Sequence, residues 1–315
     1  MAETLDVVQN INIFPLKSAH AATVEGAEPE RLAVGPTGFQ AYGARDREFV
    51  LYDARERTMV TQRGWDASGR KVIFPDDRRL ATVRIDIRPD HLALDTPGFG
   101  AIEIPAEVAD GEPEEIEIFG KELPVIRQGR EVADYFSRLL MRDVTLYRAD
   151  RERPRVLPER YRTPGASNQV AGADGFPFLL TSQASLDRQH IRNGMNLDMV
   201  PIERYRGNIV LSGYVIGAFF EDRIELMRIG DTEAEVVKAC ARCPIPNIDQ
   251  QTGERGGSGL KVLRGRAGMD DSGTAGVFFG QNLNHVYGLG QEIRIGDPVS
   301  VLSIADRGNV ELRAA

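Results

Sequence analysis

Two cysteines three positions apart are the residues of this chain best suited to chemistry. They are Cys240 and Cys243, the only cysteines in 315 residues, and Arg242 lies between them. The β-branched residues before them predict a strand, and Pro244 and Pro246 prevent a regular helix after them. Strand scaffolds commonly present reactive groups in irregular loops of this kind. We therefore predict that a strand delivers a thiol into a loop.

Four kinds of thiol site can be compared with the residues around this pair of cysteines. A structural zinc site needs four ligands, and the histidines are scattered at positions 20, 91, 190 and 285. A thioredoxin-like dithiol would begin a helix, which the two prolines oppose. Two buried structural thiols remain open, because cysteine packs well as a small apolar side chain. One soft metal on one thiolate also remains open, because Arg242 is hard to bury unpaired and favours a neighbouring thiolate.

Length and composition are those of an ordinary globular protein. The 315 residues, 42% hydrophobic and 27% charged, suffice for two domains or one large one. The formal net charge of -8 argues against a nucleic-acid partner, and no apolar run is long enough to span a bilayer. The first ten residues lack a basic and apolar signal sequence, and the cysteines form no disulfide framework. We predict a cytoplasmic protein.

The elements that would position the thiol loop are mostly strands. Apolar alternation predicts strands over residues 7–17, 83–87, 101–104, 115–118, 143–148, 225–229 and 235–239. An apolar face predicts a helix over 131–142. A second helix follows the strand that begins at 178, with Thr181 or Ser182 as its cap and Asn193-Gly194 at its end. The sequence therefore predicts a β-dominated α+β fold with a few helices.

Two polar stretches and one turn complete the predicted organisation. Residues 150–174 read as a long loop, either disordered or part of a cleft wall, and residues 256–276 as a mobile glycine-rich segment. Gly296-Asp297 predicts a tight turn between strands. We place a domain boundary near residue 149, which gives domains of residues 1–149 and 150–315.

The thiol segment resembles a known signature. Cys240-Ala241-Arg242-Cys243, followed by Pro-Ile-Pro-Asn-Ile-Asp, is similar to the Cys-x-Arg-Cys motif of MOSC proteins. That family includes the mitochondrial amidoxime-reducing component, its bacterial relatives and the C-terminal part of molybdenum-cofactor sulfurases. In the reductase branch the second cysteine coordinates molybdenum in a pyranopterin cofactor, a role that the resemblance gives to Cys243. The chain departs from the family at Pro246-Asn247, where relatives often have a Thr-Thr pair.

Other segments agree with the family in the same order. Ile-Phe-Pro-Leu-Lys-Ser at 13–18, Asp-Arg at 46–47, Thr-Ser-Gln-Ala-Ser-Leu at 181–186 and Arg-Tyr-Arg-Gly-Asn-Ile-Val at 204–210 resemble family motifs. Phe-Gly-Gln at 279–281 and the stretch 293–299 resemble its C-terminal part. Ammonium, guanidinium, hydroxyl and amide groups suit a cofactor that carries a phosphate and a pterin edge. The resemblance implies that the cofactor contacts Lys17, Ser18, Arg47, Thr181, Ser182, Ser185, Arg206, Asn208, Arg242 and Cys243.

The resemblance also implies a fold and a function. It implies two β-rich, barrel-like lobes, an MOSC N-terminal domain with its connecting helix and an MOSC domain, with the molybdenum cofactor between them. It implies an enzyme that reduces N-hydroxylated compounds such as hydroxylamines, amidoximes and N-hydroxy nucleobases, with the Cys243 thiolate as catalytic molybdenum ligand. Cys240 is then interpreted as support for the ligand loop.

Two further expectations concern the source of electrons for the reductase and an alternative to the reductase function. An iron–sulfur cluster needs about four cysteines, so we expect a separate electron donor that carries a flavin, a cytochrome or an iron–sulfur cluster. The alternative is a cofactor carrier or a sulfur-transfer protein, in which Cys240 or Cys243 binds the cofactor or holds a persulfide. The absence of a pyridoxal-binding desulfurase sequence weakens that alternative without removing it.

Overall fold

Strands are the predominant regular elements among the described residues. The computed structural model describes residues 6–26, 31–63, 74–106, 111–118, 120–306, 308 and 310–312. The strands are β1 (Asp6–Ile11), β2 (Thr23–Val24), β3 (Arg31–Gly35), β4 (Gly38–Ala41), β5 (Ala44–Arg45), β6 (Phe49–Asp53), β7 (Thr58–Met59), β8 (Arg84–Ile87), β9 (His91–Thr96), β10 (Gly100–Pro105), β11 (Pro113–Ile118), β12 (Lys121–Arg127), β13 (Thr145–Ala149), β14 (Arg155–Val156), β15 (Gln169–Val170), β16 (Phe178–Ser182), β17 (Ile209–Leu211), β18 (Ile224–Ile229), β19 (Thr232–Ala241), β20 (Ala267–Asp270), β21 (Ala275–Tyr287), β22 (Glu292–Arg294), β23 (Pro298–Ile304) and β24 (Val310–Leu312).

The helices are few and short. The α-helices are α1 (Arg130–Leu140), α2 (Gln183–Arg192) and α3 (Ser258–Lys261), and 3-10 turns cover Pro75–Thr82, Glu159–Tyr161, Leu197–Met199, Ile202–Tyr205, Phe220–Arg223 and Ile245–Asn247. In α1 the buried residues lie on one face, as the periodicity predicted. Ser182 is the N-cap of α2, and Asn193 ends it. In the part of the chain that the structure describes, no helix has the length and apolarity needed to cross a membrane.

Seven strands close into a barrel. The order is β16-β17-β1-β23-β18-β19-β21, and β21 pairs back onto β16, with Phe178 opposite Leu283. Six of these strands come from the second half of the chain, whereas β1 comes from its beginning. Within the barrel β1 lies antiparallel to both β17 and β23. Because the ring is closed, no strand edge in it is left unpaired. The barrel therefore needs strands from both ends of the sequence.

A second β-rich lobe consists of smaller sheets. A five-stranded sheet has the order β11-β12-β13-β6-β7, and a four-stranded sheet has the order β10-β9-β8-β2. A further sheet, β22-β3-β4-β5, joins a late strand to three early ones. The barrel and these sheets, with few helices, confirm the predicted β-dominated α+β fold with two β-rich lobes.

One hydrophobic core runs through both lobes. Its buried members include Ile11, Ile209 and Leu283 of the barrel, and Phe49 and Leu92 of the smaller sheets. Each such side chain that is fully removed from water contributes about 1.5–3 kcal/mol to folding, as an upper estimate. Because the lobes exchange strands and share this core, their relative position is fixed by packing on both sides of the interlobe cleft. The domain boundary near residue 149 stays a prediction.

The structure differs from the sequence analysis in three segments. The strand predicted over 7–17 ends at Ile11, and only isolated bridges continue it around Pro15. The predicted loop 150–174 contains the small hairpin of β14 and β15. The segment predicted as mobile contains α3 and β20, which pairs with β21. The pairs β14–β15 and β20–β21 are short and lack a clear alternation of apolar residues, so composition alone does not predict them.

Candidate active site

A solvent-open cleft lies where the two lobes meet. Its wall includes residues that follow β1, precede β6, precede β17 and follow β19, so four separate parts of the chain converge there. Both cysteines line it. Of the ten predicted cofactor residues, the structure brings together at this cleft Lys17, Ser18, Arg47, Arg206, Asn208, Arg242 and Cys243.

The thiol loop follows β19 directly. The backbone amide of Arg242 donates to the carbonyl of Val277 at 2.8 Å, which keeps the loop attached to β21. Pro244 then begins the 3-10 turn Ile245–Asn247, so the predicted absence of a regular helix is confirmed. Cys240 and Cys243 are unbridged and partly exposed. The two thiols are therefore accessible from the cleft.

The Arg242 guanidinium organises this loop. Its Nη1 donates to Sγ of Cys240 at 3.1 Å, and its Nη2 donates to the carbonyl of Tyr205 at 2.5 Å. Burial alone would lower the pKa of Arg242, but the nearby Cys240 and Cys243 sulfurs raise it, so this side chain is cationic. Its contact is with Cys240, which leaves the sulfur of Cys243 without this guanidinium contact.

One buried atom of Arg242 indicates a missing partner. The Nε of Arg242 is buried and has no hydrogen-bond partner among the described residues. Buried polar atoms in native proteins are nearly always paired, so an orphaned donor in a cleft points to a ligand that accepts from it. An anionic cofactor with acceptor oxygens or ring nitrogens would satisfy this donor, and the donor set around the cleft therefore fits such a group.

A second cationic group joins the lobes. The Arg47 guanidinium forms an ion pair with buried Asp46 and donates to Oδ1 of Asn208 at 3.1 Å. Asn208 donates in turn to Oδ1 of Asp46 at 3.1 Å. Arg47 and Arg206 both lie over the Phe14 ring, with their Cζ atoms 4.9 and 4.3 Å from its centroid. Burial, and then the charge of Arg47, lowers the pKa of Arg206 to about 9.

Three of these residues have a left-handed backbone. The φ angles are 69° at Ser18, 50° at Arg47 and 56° at Arg206. For residues with a Cβ this conformation costs roughly 1–2 kcal/mol each, and it persists only where the surroundings impose it. The concentration of such residues at one cleft is typical of a site whose side-chain directions matter.

A carboxylate completes the charge pattern of the cleft. Asp174 forms ion pairs with Lys17 through one oxygen and with Arg63 through the other. Burial is the largest influence on Lys17 and lowers its pKa to about 8, although Asp174 opposes that shift. Burial would raise the pKa of Asp174, but Arg63 and Lys17 lower it well below its usual range. The cleft keeps an excess of positive charge, with one acid between two of its cations.

Some cleft residues were not among the predicted ones. Arg63 ends a Thr-Gln-Arg stretch that resembles a family motif, a signal that was available in the sequence. Asp174 lies at the end of the segment predicted as a loop or cleft wall. Tyr205 and Asn282 also line the cleft. Tyr205 ends a 3-10 turn and Asn282 lies on β21, and only the tertiary structure shows that they face the cleft.

Three predicted residues lie away from the cleft wall. Thr181, Ser182 and Ser185 are fully buried in the barrel and α2. Oγ of Ser182 accepts from the amide of Ser185 at 3.4 Å, and Oγ of Ser185 accepts from the amide of Phe219 at 2.7 Å. These bonds are those of a helix cap and a loop attachment. Their contact with a cofactor stays a prediction, which the geometry of the cleft does not favour.

Fold and cleft together define the class: a β-barrel protein with a cationic interlobe cleft around two accessible thiols. A family model described as "MOSC N-terminal beta barrel domain" matches residues 5–143, and one described as "MOSC domain" matches residues 167–300. The chain therefore belongs to the MOSC-domain family, which confirms the resemblance found in the sequence.

The similar curated proteins are amidoxime-reducing components. "Mitochondrial amidoxime reducing component 2" of Bos taurus is 28% identical over 254 residues, which cover 80% of this chain and 69% of that protein. "Mitochondrial amidoxime-reducing component 1" of Danio rerio is 26% identical and covers 78% of this chain and 70% of its own. Component 1 of Xenopus laevis is 25% identical over 313 residues, covering 94% of this chain and 82% of its own.

Proposed function

We propose that this protein is a molybdenum-cofactor-dependent reductase of N-hydroxylated compounds, including hydroxylamines, amidoximes and N-hydroxy nucleobases. Membership of the MOSC-domain family and similarity to proteins named amidoxime-reducing components support a cofactor-binding oxidoreductase. The observation that carries the proposal is the orphaned Nε of Arg242 beside two accessible thiols in a cleft rich in cations. That arrangement suits an anionic cofactor whose metal is held by one sulfur.

Each residue of the cleft has a role in this proposal. The Cys243 thiolate holds the molybdenum, and Arg242 offsets negative charge on the cofactor while its Nε donates to it. Lys17, Ser18 and Arg47 bind the phosphate, because ammonium, hydroxyl and guanidinium groups are its usual partners. Arg206 binds the pterin edge, and Asn208, whose Oδ1 accepts from Arg47 and whose Nδ2 donates to Asp46, holds Arg47 beside the cofactor. When bound, the cofactor supplies the two electrons through the oxidation states of molybdenum.

The overall reaction breaks an N–O bond. Reduction of an N-hydroxyl compound consumes two electrons and two protons and yields the N–H compound and one water. The cleft is open, so the protons can come from solvent. The electrons come from a separate donor protein that carries a flavin, a cytochrome or an iron–sulfur cluster. We further propose that the protein works in the cytoplasm, where unbridged cysteines are normal.

One contact favours the alternative of sulfur transfer. Arg242 donates to Cys240 rather than to Cys243, at 3.1 Å. A guanidinium bound to sulfur would stabilise an anionic persulfide on Cys240, as a sulfur-transfer protein or cofactor carrier requires. In the reductase proposal the same bond orients the ligand loop, and Cys240 supports it without binding the metal.

Metal analysis of two matched variants tests the proposal. We expect near-stoichiometric molybdenum in wild-type protein and in Cys240→Ser from a molybdate-supplied, cofactor-competent host. We expect its loss in Cys243→Ser, which should still unfold cooperatively, at a lower temperature because the stabilising cofactor is missing. Wild-type protein should then reduce hydroxylamine with a viologen donor. Full activity of Cys243→Ser would contradict the proposal. Persulfide on Cys240 in a protein that contains no molybdenum would favour sulfur transfer.

A further inference from the structure

A second cavity, which we call the side cavity, adjoins the cleft and has a volume of about 290 Å³. Asp174, Gly175 and Phe176 line both spaces, so the two spaces meet along this short segment. Small-molecule sites typically have volumes of roughly 300–1,000 Å³, so the side cavity lies at the small end of that range. No residue predicted to bind the cofactor lines the side cavity.

The inner surface of the side cavity is apolar. Leu157 and Val170 line it, are 1% and 2% exposed, and form a small core with Ala173. Phe176 packs against this core. Arg155 also lines the cavity, but its guanidinium donates to the carbonyls of Ala171, at 2.8 Å, and of Ala173. This arginine therefore fixes the backbone that leads into the shared segment, and its donors are used by the protein itself.

Two aromatic rings form the side that faces the cleft. Tyr161 lines the side cavity and meets Phe176 edge to face, with ring centroids 5.4 Å apart and planes at 68°. The hydroxyl of Tyr161 accepts from Nζ of Lys238 at 3.2 Å. Lys238 lies on β19, two residues before Cys240. The strand that delivers the thiol loop thus also holds the aromatic wall in place.

The charges of the side cavity indicate an uncharged occupant. Lys121 and Glu122 lie at its rim, are exposed and carry opposite charges. Asp174 is paired with Lys17 and Arg63. A ligand would therefore contact aromatic rings and aliphatic carbons on the inner surface, which has no excess of positive or negative charge. A flat neutral group fits this surface, whereas a phosphate or carboxylate would meet no unengaged cation on the inner wall.

We infer that the side cavity binds the flat apolar substituent of an aryl N-hydroxylated substrate, with its N–O group in the neighbouring cleft. This inference rests on the proposed reductase function and names the part of the protein that would select among its substrates. Binding of a remote, unreactive group is a usual source of specificity and rate. Tyr161 and Phe176 are then the residues that set the preference for aryl over small alkyl substrates.

A matched pair of substrates and a matched pair of variants test the inference. Benzamidoxime and acetamidoxime share the reacting group and differ only in a phenyl against a methyl substituent. Val156 lines only the side cavity and is 52% exposed, so Val156→Trp would obstruct the cavity without disturbing the core. Val215→Trp makes the same exchange at a position that is 74% exposed and lines neither space.

The expected result is a change in the substrate ratio. In molybdenum-loaded protein, Val156→Trp should lower kcat/KM for benzamidoxime by about tenfold or more, the range in which apolar pockets discriminate, and leave acetamidoxime within about twofold. Val215→Trp should change neither value. An unchanged ratio of the two kcat/KM values in Val156→Trp, with both substrates reduced, would overturn the inference and leave the reductase function intact.

A binding measurement separates failure of the inference from failure of the proposed function. Saturation-transfer NMR of benzamidoxime needs no electron donor and no turnover. We expect signal with wild-type protein and Val215→Trp and at least a several-fold weaker signal with Val156→Trp. If the protein shows this binding pattern but reduces neither amidoxime, the side cavity is a binding site and the proposed activity is wrong. If wild-type protein does not bind benzamidoxime, or if Val156→Trp binds it equally well, the side-cavity assignment is wrong.

Discussion

At the scale of single residues, the cleft combines cations that are held by different kinds of partner. Arg47 is neutralised by buried Asp46, whereas Arg242 has a thiol, a carbonyl and one orphaned nitrogen. The first guanidinium is therefore structural as well as available to a ligand. The second has a donor that a bound acceptor would satisfy. We therefore expect loss of the Asp46–Arg47 pair to destabilise the fold and loss of Arg242 to weaken binding in the cleft.

Asp46 belongs to the structural set. Its carboxylate is 1% exposed, accepts from the amide of Phe14 at 2.8 Å, and pairs with Arg47. We expect Asp46→Asn to lower the free energy of unfolding by about 3 kcal/mol, because it leaves a largely buried guanidinium unpaired. Urea denaturation measures this. In the control Asp134→Asn, an exposed pair with Arg130 is lost, and we expect a change of at most about 0.5 kcal/mol. Equal effects of the two changes would refute the structural role.

Glu221 predicts a pH dependence of stability. Burial, and next the charge of Asp222, raises the pKa of Glu221 above its ordinary 4.5, although a bond from Ser185 and the charge of Arg266 oppose this. The folded state thus binds the proton more tightly than the unfolded state. The free energy of unfolding therefore falls as pH rises from 4.5 through the folded pKa.

Glu221→Gln should remove this dependence. Between pH 5 and pH 8, we expect the wild type to lose stability relative to the variant, by about 1.4 kcal/mol for each unit by which the pKa is raised. Urea unfolding at several pH values measures the difference. Glu225→Gln, at an exposed glutamate on β18, is the control and should follow the wild type at every pH. Parallel curves for wild type and Glu221→Gln would exclude the shift.

At the scale of elements, β16 and the turn before β17 pack closely at Gly207. A Cβ at this position would lie 2.4 Å from Oγ1 of Thr181. Thr181 is fully buried and its side chain cannot move away freely. The glycine thus keeps two neighbouring strands at their observed separation. Thr181 has a packing role here that is sufficient to explain its residue type.

A double-mutant cycle tests this packing. We expect Gly207→Ala to lower the free energy of unfolding by about 1–3 kcal/mol, the usual cost of overpacking. Thr181→Ala removes the atoms that a Cβ would meet, so the double variant should recover a large part of that loss. Thermal unfolding of the two single variants and the double variant gives the coupling energy. Additive effects would show that the clash is not the cause.

At the scale of the whole molecule, the barrel is closed by a strand from the far end of the chain. β1 lies between β17 and β23, and β22 pairs with β3 in the other lobe. Neither half of the chain can therefore reproduce its own lobe completely. The cleft depends on the same exchange, because the residues that follow β1 form one of its walls.

Fragments test this dependence. We expect residues 150–315 alone to lack cooperative thermal unfolding, because β17 and β23 would expose unpaired edges. The same fragment with residues 5–14 joined to its start by a flexible Gly/Ser linker should recover cooperative unfolding, since β1 can then close the ring. Circular dichroism during heating measures both. An isolated fragment that unfolds as cooperatively as the linked one would support two independent domains with a boundary near residue 149.

Much of the fold and part of the candidate site could be predicted from sequence. Alternation and capping predicted α1, α2 and several strands because these signals act within a few residues. The Cys-x-Arg-Cys segment and the family motifs predicted seven residues that meet at the cleft. Asp174 and Tyr205 lie in segments that the sequence marked, but their contacts have no such signal because their partners are far away in sequence.

Local spacing and motifs were sufficient to predict the family, the strand-rich class and the residue types of the thiol loop. These properties can be read from short stretches of sequence. The folded structure was needed to show which strands close the barrel, that Arg242 contacts Cys240, and that Ser182 and Ser185 lie in the core. Strand pairing and side-chain contacts depend on packing and desolvation. These effects bring together residues that are far apart in the sequence, so no short stretch predicts them.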